Sequence, residues 1–264
     1  MGGGNSDIST YRLDFVILSK NYNCDNIDIA NDFSRSYKDS LHISALNPYF
    51  CELTALFWAW KHLKADYYGL FHYRRILDFS PQSNAKNQVC FYNRKKILPK
   101  ISEQYILQTC KDYDIIAPTL WQDEKHSMYS QYEMCHHIKD LDACVAYIKA
   151  TNPKMHEVAL KSLHKCPASW HTCNMFVMKD WLFFEYCEWL FDVLFNANIC
   201  YKSYDSYQQR VFGFLAERLF NVWLDYKKHL NPHIKIKELP SVFLRFEPQN
   251  RLVRCCYKVL KKVL

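Results

Sequence analysis

The sequence predicts an α/β fold: one layered domain on a mostly parallel sheet flanked by helices. Three observations point there. Short apolar runs with strand character alternate with long helical periods. Three of the five glycines fall in the leader MGGGNS, so the body has no glycine-rich linker at which to divide. Of the 264 residues, 49% are hydrophobic and 16% aromatic, enough for one large core and too many for a disordered chain.

The elements follow in order. YRLDFVILSK (11–20) reads as a first strand, and the polar stretch to Ser44 reads as loop. NPYFCELTALFWAWKHL (47–63) reads as one helix, with Asn47 at the N-cap, Pro48 at the first helical position and Glu52 in the early turns. YYGLF opens YYGLFHYRRILDF (67–79) as a second strand, YDIIAPTL (113–120) is a third, and TCNMFVM (172–178) a fourth that contains Asn174. Two helices complete the pattern, 179–195 and 206–226, each apolar around most of its circumference and therefore buried. In such sheets ligands bind at the C-terminal edge of the strands, where His72–Arg75 fall.

Composition narrows the function. A net charge of +7 favours anionic partners without choosing among nucleotide, nucleic acid and lipid. The basic residues form no single run outside the C-terminus, and no nucleic-acid motif is present, which disfavours an RNA or DNA binder. Twelve cysteines with no CxxC spacing read as reduced, buried small hydrophobes of a cytoplasmic protein. No apolar run reaches the roughly 20 residues that span a bilayer. MGGGNS formally matches the myristoylation pattern through Gly2 and Ser6, but reads first as a flexible leader. RLVRCCYKVLKKVL (251–264) gathers Arg251, Arg254, Lys258, Lys261 and Lys262 on one helical face against Leu252, Val253, Tyr257 and Leu260. That pattern suits an amphipathic helix on an anionic membrane, or a terminal helix packed on the domain. The division expected is a leader (1–10), a main domain (11–240) and a basic C-terminal segment (241–264).

Within HYRR, Arg74 and Arg75 need either an internal carboxylate (Asp78, Glu52 or Glu217) or an external anion, because an unpaired buried guanidinium costs several kcal/mol. Arginine's planar fork matches phosphate bidentately. On the helix 206–226, Arg210, Gly213, Glu217 and Asn221 share a narrow polar seam, facing a ligand or forming an Arg210–Glu217 bridge. His164, Cys166, His171 and Cys173 lie close together but with no zinc spacing. Neither Asp112/Asp114, which precede or open a strand, nor Asp140/Asp142, in a helical stretch where i and i+2 diverge, is placed to hold a divalent ion. No metal is expected.

NPYFCELTALFWAWKHLKADYYGLFHYRR, NMFVMKDWLFFEYCEWLFDVLF and QRVFGFLAERLFNVWL together resemble the bacterial family called domain of unknown function 4422, over roughly residues 43–226. Its members lie among capsular, exopolysaccharide and O-antigen biosynthesis proteins and are regarded as glycosyltransferases. The GLxHYRR, Asn-Met-Phe (174–176) and Arg-x-x-Gly-Phe-x-x-Glu-Arg-Leu (210–219) blocks are intact, while Leu41 and His42 stand where the family usually carries Asp-Asn. The resemblance implies a single GT-A-like nucleotide-sugar domain with the donor at the strand edge, and a hexose such as galactofuranose or galactose. On that reading Arg74 and Arg75 neutralise the leaving diphosphate, with His72 as an additional donor. Glu217 is the base of an inverting reaction, Arg210 orients it or touches phosphate, and Asn174 and Glu52 contact sugar or acceptor. The acceptor is a lipid-linked glycan at the inner face of the cell membrane. A membrane-associated scaffold of the same fold, without catalysis, is the alternative.

Overall fold

The computed structural model describes residues 13–17, 40–80, 88–91 and 103–245. The leader (1–10) and the basic segment 251–264 lie outside them. Along the chain come β1 (Leu13–Ile17), α1 (Asn47–Phe50), α2 (Leu53–His62), β2 (Tyr67–Phe71), β3 (Arg75–Leu77), β4 (Gln88–Phe91), α3 (Glu103–Asp112) and β5 (Ile115–Pro118). After these come β6 (Trp121–Asp123), α4 (Met128–Cys135), α5 (Ile138–Thr151), α6 (Pro153–His164), β7 (Ala168–Trp170) and β8 (Phe176–Lys179). The described chain closes with α7 (Asp180–Asn196), α8 (Val211–Leu230), β9 (Ile236–Leu239) and β10 (Ser241–Arg245).

The main sheet has the order β1-β2-β8-β5-β9. β1 runs parallel to β2 and β5 parallel to β9, while β8 is antiparallel to both its neighbours. Four strands thus share one direction and β8 alone is reversed. Its entry therefore lies at the same edge as the exits of β2 and β5.

Both faces of the sheet are covered, so its strands read as continuous apolar runs instead of alternating ones. Tyr68, Leu70, Ile115, Ala117, Phe176 and Met178 face a large core completed by α2, α4–α8. Tyr67, Phe71, Ile116 and Val177 point the other way, onto Ile106 and Cys110 of α3 and onto Leu77 and Phe79. Tyr68 stacks on Phe183 of α7 with centroids 4.0 Å apart, tying sheet to helix. β3, β10 and β4 make a second, three-stranded sheet, and β6 and β7 a two-stranded ribbon. The first five residues of the expected C-terminal segment are thus the strand β10.

The expected helix 47–63 is broken in two. Cys51 adopts φ 50°, ψ −125°, which no helix can continue through. Asn47 does not cap; it lies inside α1, and its amide donates to the Cys51 carbonyl at 3.2 Å and to Thr54 Oγ1 at 3.0 Å, bracing the break. Glu52 consequently sits at the junction of α1 and α2. The helix expected over 206–226 starts later, after a 3-10 turn at Gln208–Arg210 held by Asp205 Oδ1, and runs on to Leu230. Asn174 lies in the turn before β8, not within the strand.

Phe57 of α2 is fully buried and meets Phe191 edge-on at 4.9 Å. Phe57→Ala is expected to lower stability by about 3–5 kcal/mol in urea unfolding.

Candidate active site

His72–Arg75 form the tight turn that leads from β2 into β3: the Arg75 N–H donates to the His72 carbonyl at 3.0 Å. Tyr73 and Arg74 occupy its tip and are exposed. The Arg74 guanidinium donates to Tyr73 Oη and lies over that ring, while the Arg75 guanidinium lies 4.7 Å from the Phe243 ring of β10. Among the described residues neither meets a carboxylate. The three internal candidates have other partners: Asp78 accepts from the Ser80 N–H, Glu52 from Asn174 and Glu217 from Cys173 and Arg218.

His72 sits beside this charge. Burial and the guanidiniums of Arg75, Arg74 and Arg210 push its pKa down to about 4. The ring is therefore neutral near pH 7. Its Nδ1 faces the Arg74 N–H at 3.2 Å and accepts from it, which assigns the ring proton to Nε2. His72 is a neutral hydrogen-bond donor within a basic rim.

The polar seam of α8 faces the loop that enters β8. Asn221 Oδ1 accepts from the His171 N–H at 2.8 Å, and its amide donates to the His171 carbonyl at 2.9 Å. Glu217 Oε2 accepts from the Cys173 N–H at 2.6 Å. The Gly213 carbonyl accepts from Asn174 Nδ2 at 2.9 Å. These bonds hold Cys173 and Asn174 at φ 73° and 47°, the left-handed region that side chains disfavour. The Arg210–Glu217 bridge that was the alternative to a ligand-facing seam does not form: Arg210 Nε faces Cys51 Sγ at 3.4 Å, and Glu217 Oε1 pairs with Arg218 at 2.5 Å.

Arg218 is 5% exposed, also donates to Gln131 and lies between the rings of Tyr132 and Trp170. Sequence reasoning gave it no role. The available signal was an arginine at the border of the apolar arc of a buried helix.

Glu52 Oε1 accepts from Asn174 Nδ2 at 2.7 Å. Burial, against the hydrogen bond from Asn174, raises its pKa above the ordinary carboxylate value. Because Asn174 Nδ2 serves two acceptors, the amide orientation is set and Oδ1 is left buried with no partner among the described residues. An orphaned acceptor of that kind costs about 1–3 kcal/mol.

The other sequence candidates are dispersed. Asp114 bonds Lys179 Nζ and the Lys235 N–H at the opposite edge of the sheet, and Asp112 bonds Gln108. Asp140 and Asp142 accept from Tyr204 and Tyr129. His171 Nδ1 donates to the Pro118 carbonyl at 2.6 Å. Among the described residues no three His, Cys, Asp or Glu side chains come together as a metal site. No described helix is long and apolar enough to cross a membrane.

Fold and site together define a class: an α/β protein whose sheet edge concentrates guanidinium groups beside carboxamide and carboxylate. Residues 20–229 match the family described as Domain of unknown function (DUF4422), and the chain belongs to that family. It is also similar to a solved structure, that of the bifunctional glycosyltransferase WbbM in its apo form, with 30% identity and a TM-score of 0.69. That match covers 80% of this chain and 40% of the WbbM chain. No curated protein matches.

Glu217→Gln removes the counter-ion of a buried arginine. A loss of about 3–5 kcal/mol is expected in thermal or urea unfolding, whatever the effect on turnover.

Proposed function

We propose that this chain is a glycosyltransferase of surface-polysaccharide assembly, with a GT-A-like donor site, that moves a hexose from a nucleotide-diphosphate sugar to a lipid-linked glycan. One observation carries the reading: Arg74 and Arg75 stand at the strand edge with no carboxylate partner among the described residues. Bidentate guanidiniums there would bind the diphosphate and neutralise the charge that grows on it as it leaves. Arg210, whose charge reaches His72, adds a third cation, and neutral His72 adds a hydrogen bond from Nε2. Membership of the family and the likeness to WbbM support transferase chemistry.

The mechanism proposed is metal-independent, since both Asp-x-Asp pairs have partners within the protein. Purified protein incubated with UDP-, GDP- and dTDP-sugars should release nucleotide from one donor at a rate unchanged by chelator. Strict dependence on manganese or magnesium would refute the metal-free mechanism, and release from no donor would favour the scaffold. Arg74→Ala should lower kcat/KM for that donor by about 10²–10³, the loss typical of one removed transition-state donor.

Residues 251–264 are proposed to hold the protein on the anionic inner face of the cell membrane, beside its acceptor. Removing them should abolish co-sedimentation with phosphatidylglycerol vesicles, since each basic residue contributes about 1 kcal/mol near such a surface. Turnover of a soluble acceptor should persist.

A further inference from the structure

The sequence nominates Glu217 as the base, but its surroundings suit an anchor. Oε2 holds the Cys173 N–H and Oε1 the Arg218 guanidinium, so both carboxylate oxygens are already engaged in charge-assisted bonds to the protein. Glu52 differs: its hydrogen bonds come from the neutral Asn174 amide at Oε1 and from its own backbone N–H, and among the described residues no guanidinium or ammonium pairs with it.

The backbone around Glu52 is strained. Four non-glycine residues of the described chain have positive φ: Cys51, Cys173, Asn174 and Asn198. Cys51 precedes Glu52, Asn174 bonds it and Cys173 precedes Asn174, so three of the four surround one carboxylate. Such conformations persist where the surrounding structure over-determines them, and they cluster at reacting centres. Asn174 is 4% exposed, yet its Oδ1 has no partner among the described residues. Charge from Arg210 and Glu217 reaches Glu52, and charge from Arg75 and Glu52 reaches Cys173. Arg210 Nε lies 3.4 Å from Sγ of Cys51, so the Glu52–Asn174 pair adjoins one of the guanidiniums assigned to the diphosphate.

We propose that Glu52 is the proton acceptor of the transfer, held by Asn174, and that Glu217 is a structural anchor of the loop 171–174. The proposal rests on the glycosyltransferase reading above. In the step, the acceptor hydroxyl gives its proton to the Glu52 carboxylate while its oxygen bonds the anomeric carbon. The bond from that carbon to the diphosphate oxygen breaks, and its electron pair leaves on the diphosphate. The configuration inverts, and protonated Glu52 returns its proton to water. Desolvation favours this role, because a carboxylate whose pKa is raised toward working pH is a stronger base. The sign is definite: Glu52 must be ionised to act, so a raised pKa moves the acid limb of the rate profile to higher pH.

The test uses the full chain, UDP-galactose or the best donor of the panel, and octyl β-galactoside as acceptor. Wild type, Glu52→Gln and Glu217→Gln are compared for nucleotide release from pH 5 to 9, UDP affinity and melting temperature. Glu52→Gln should bind UDP within about threefold of wild type and melt normally. Its rate should fall about 10²–10⁴-fold, the usual contribution of general base catalysis, and its acid limb should vanish. If Glu52→Gln keeps more than a tenth of the rate, or Glu217→Gln loses the rate and the limb with an unchanged melting temperature, Glu52 is not the base. A glycosyl adduct on Glu52, seen by intact mass, also overturns the proposal, by making it a nucleophile. Wild type that binds UDP but releases nucleotide from no donor sinks the transferase reading itself, an outcome distinct from the others.

Discussion

The grip of one helix on one loop organises this edge of the protein. Along α8, residues 213, 217 and 221 present a backbone carbonyl, a carboxylate and a carboxamide at successive turns. Each meets the segment 171–174 that leads into β8. A segment with two consecutive left-handed residues has little intrinsic reason to hold its shape, so these bonds must supply it. Because β8 runs against its neighbours, the held segment lies where β2 gives way to the arginine turn. A reversed strand thus lets one helix place an amide beside groups that arrive from the other strands.

Much of the fold is legible in the sequence, and the exceptions have physical causes. Strands buried on both faces leave compact apolar runs, so 67–71 and 113–118 stand out. Apolar periodicity runs unbroken through 47–63, however, and nothing in it announces that Cys51 turns left-handed. The sheet of β3, β10 and β4 was missed because its first strand has three residues, too few for a period. In the site, the arginine pair is legible from an abrupt change of character after Phe71. The Glu52–Asn174 bond joins residues 122 positions apart, beyond any spacing rule. Adjacent residues on a helix diverge by about 100°, so the Glu217–Arg218 pair depends on the reach and wrap of a long side chain.

The rim handles its positive charge in an uncommon way. Arg74 and Arg75 lean on the rings of Tyr73 and Phe243, which offer a π-face and a dry flank without neutralising the cation. Arginine, weakly hydrated and planar, tolerates that better than lysine would. Around them His72 stays uncharged, so it adds no further repulsion among three guanidiniums. Arg218, by contrast, turns Nη1 and Nη2 to Glu217 and Gln131 in the interior, and its Nε is buried with no partner among the described residues. Two populations of arginine result, one spent inward and one kept outward.

The ring beneath Arg75 belongs to β10, which ends at Arg245. The basic stretch beginning at Arg251 follows after five intervening residues, a contour of at most about 22 Å. Whatever surface that stretch settles on must therefore lie within a short leash of the strand supporting a guanidinium. The strand on which that cation rests is also the one from which the chain leaves toward those basic residues.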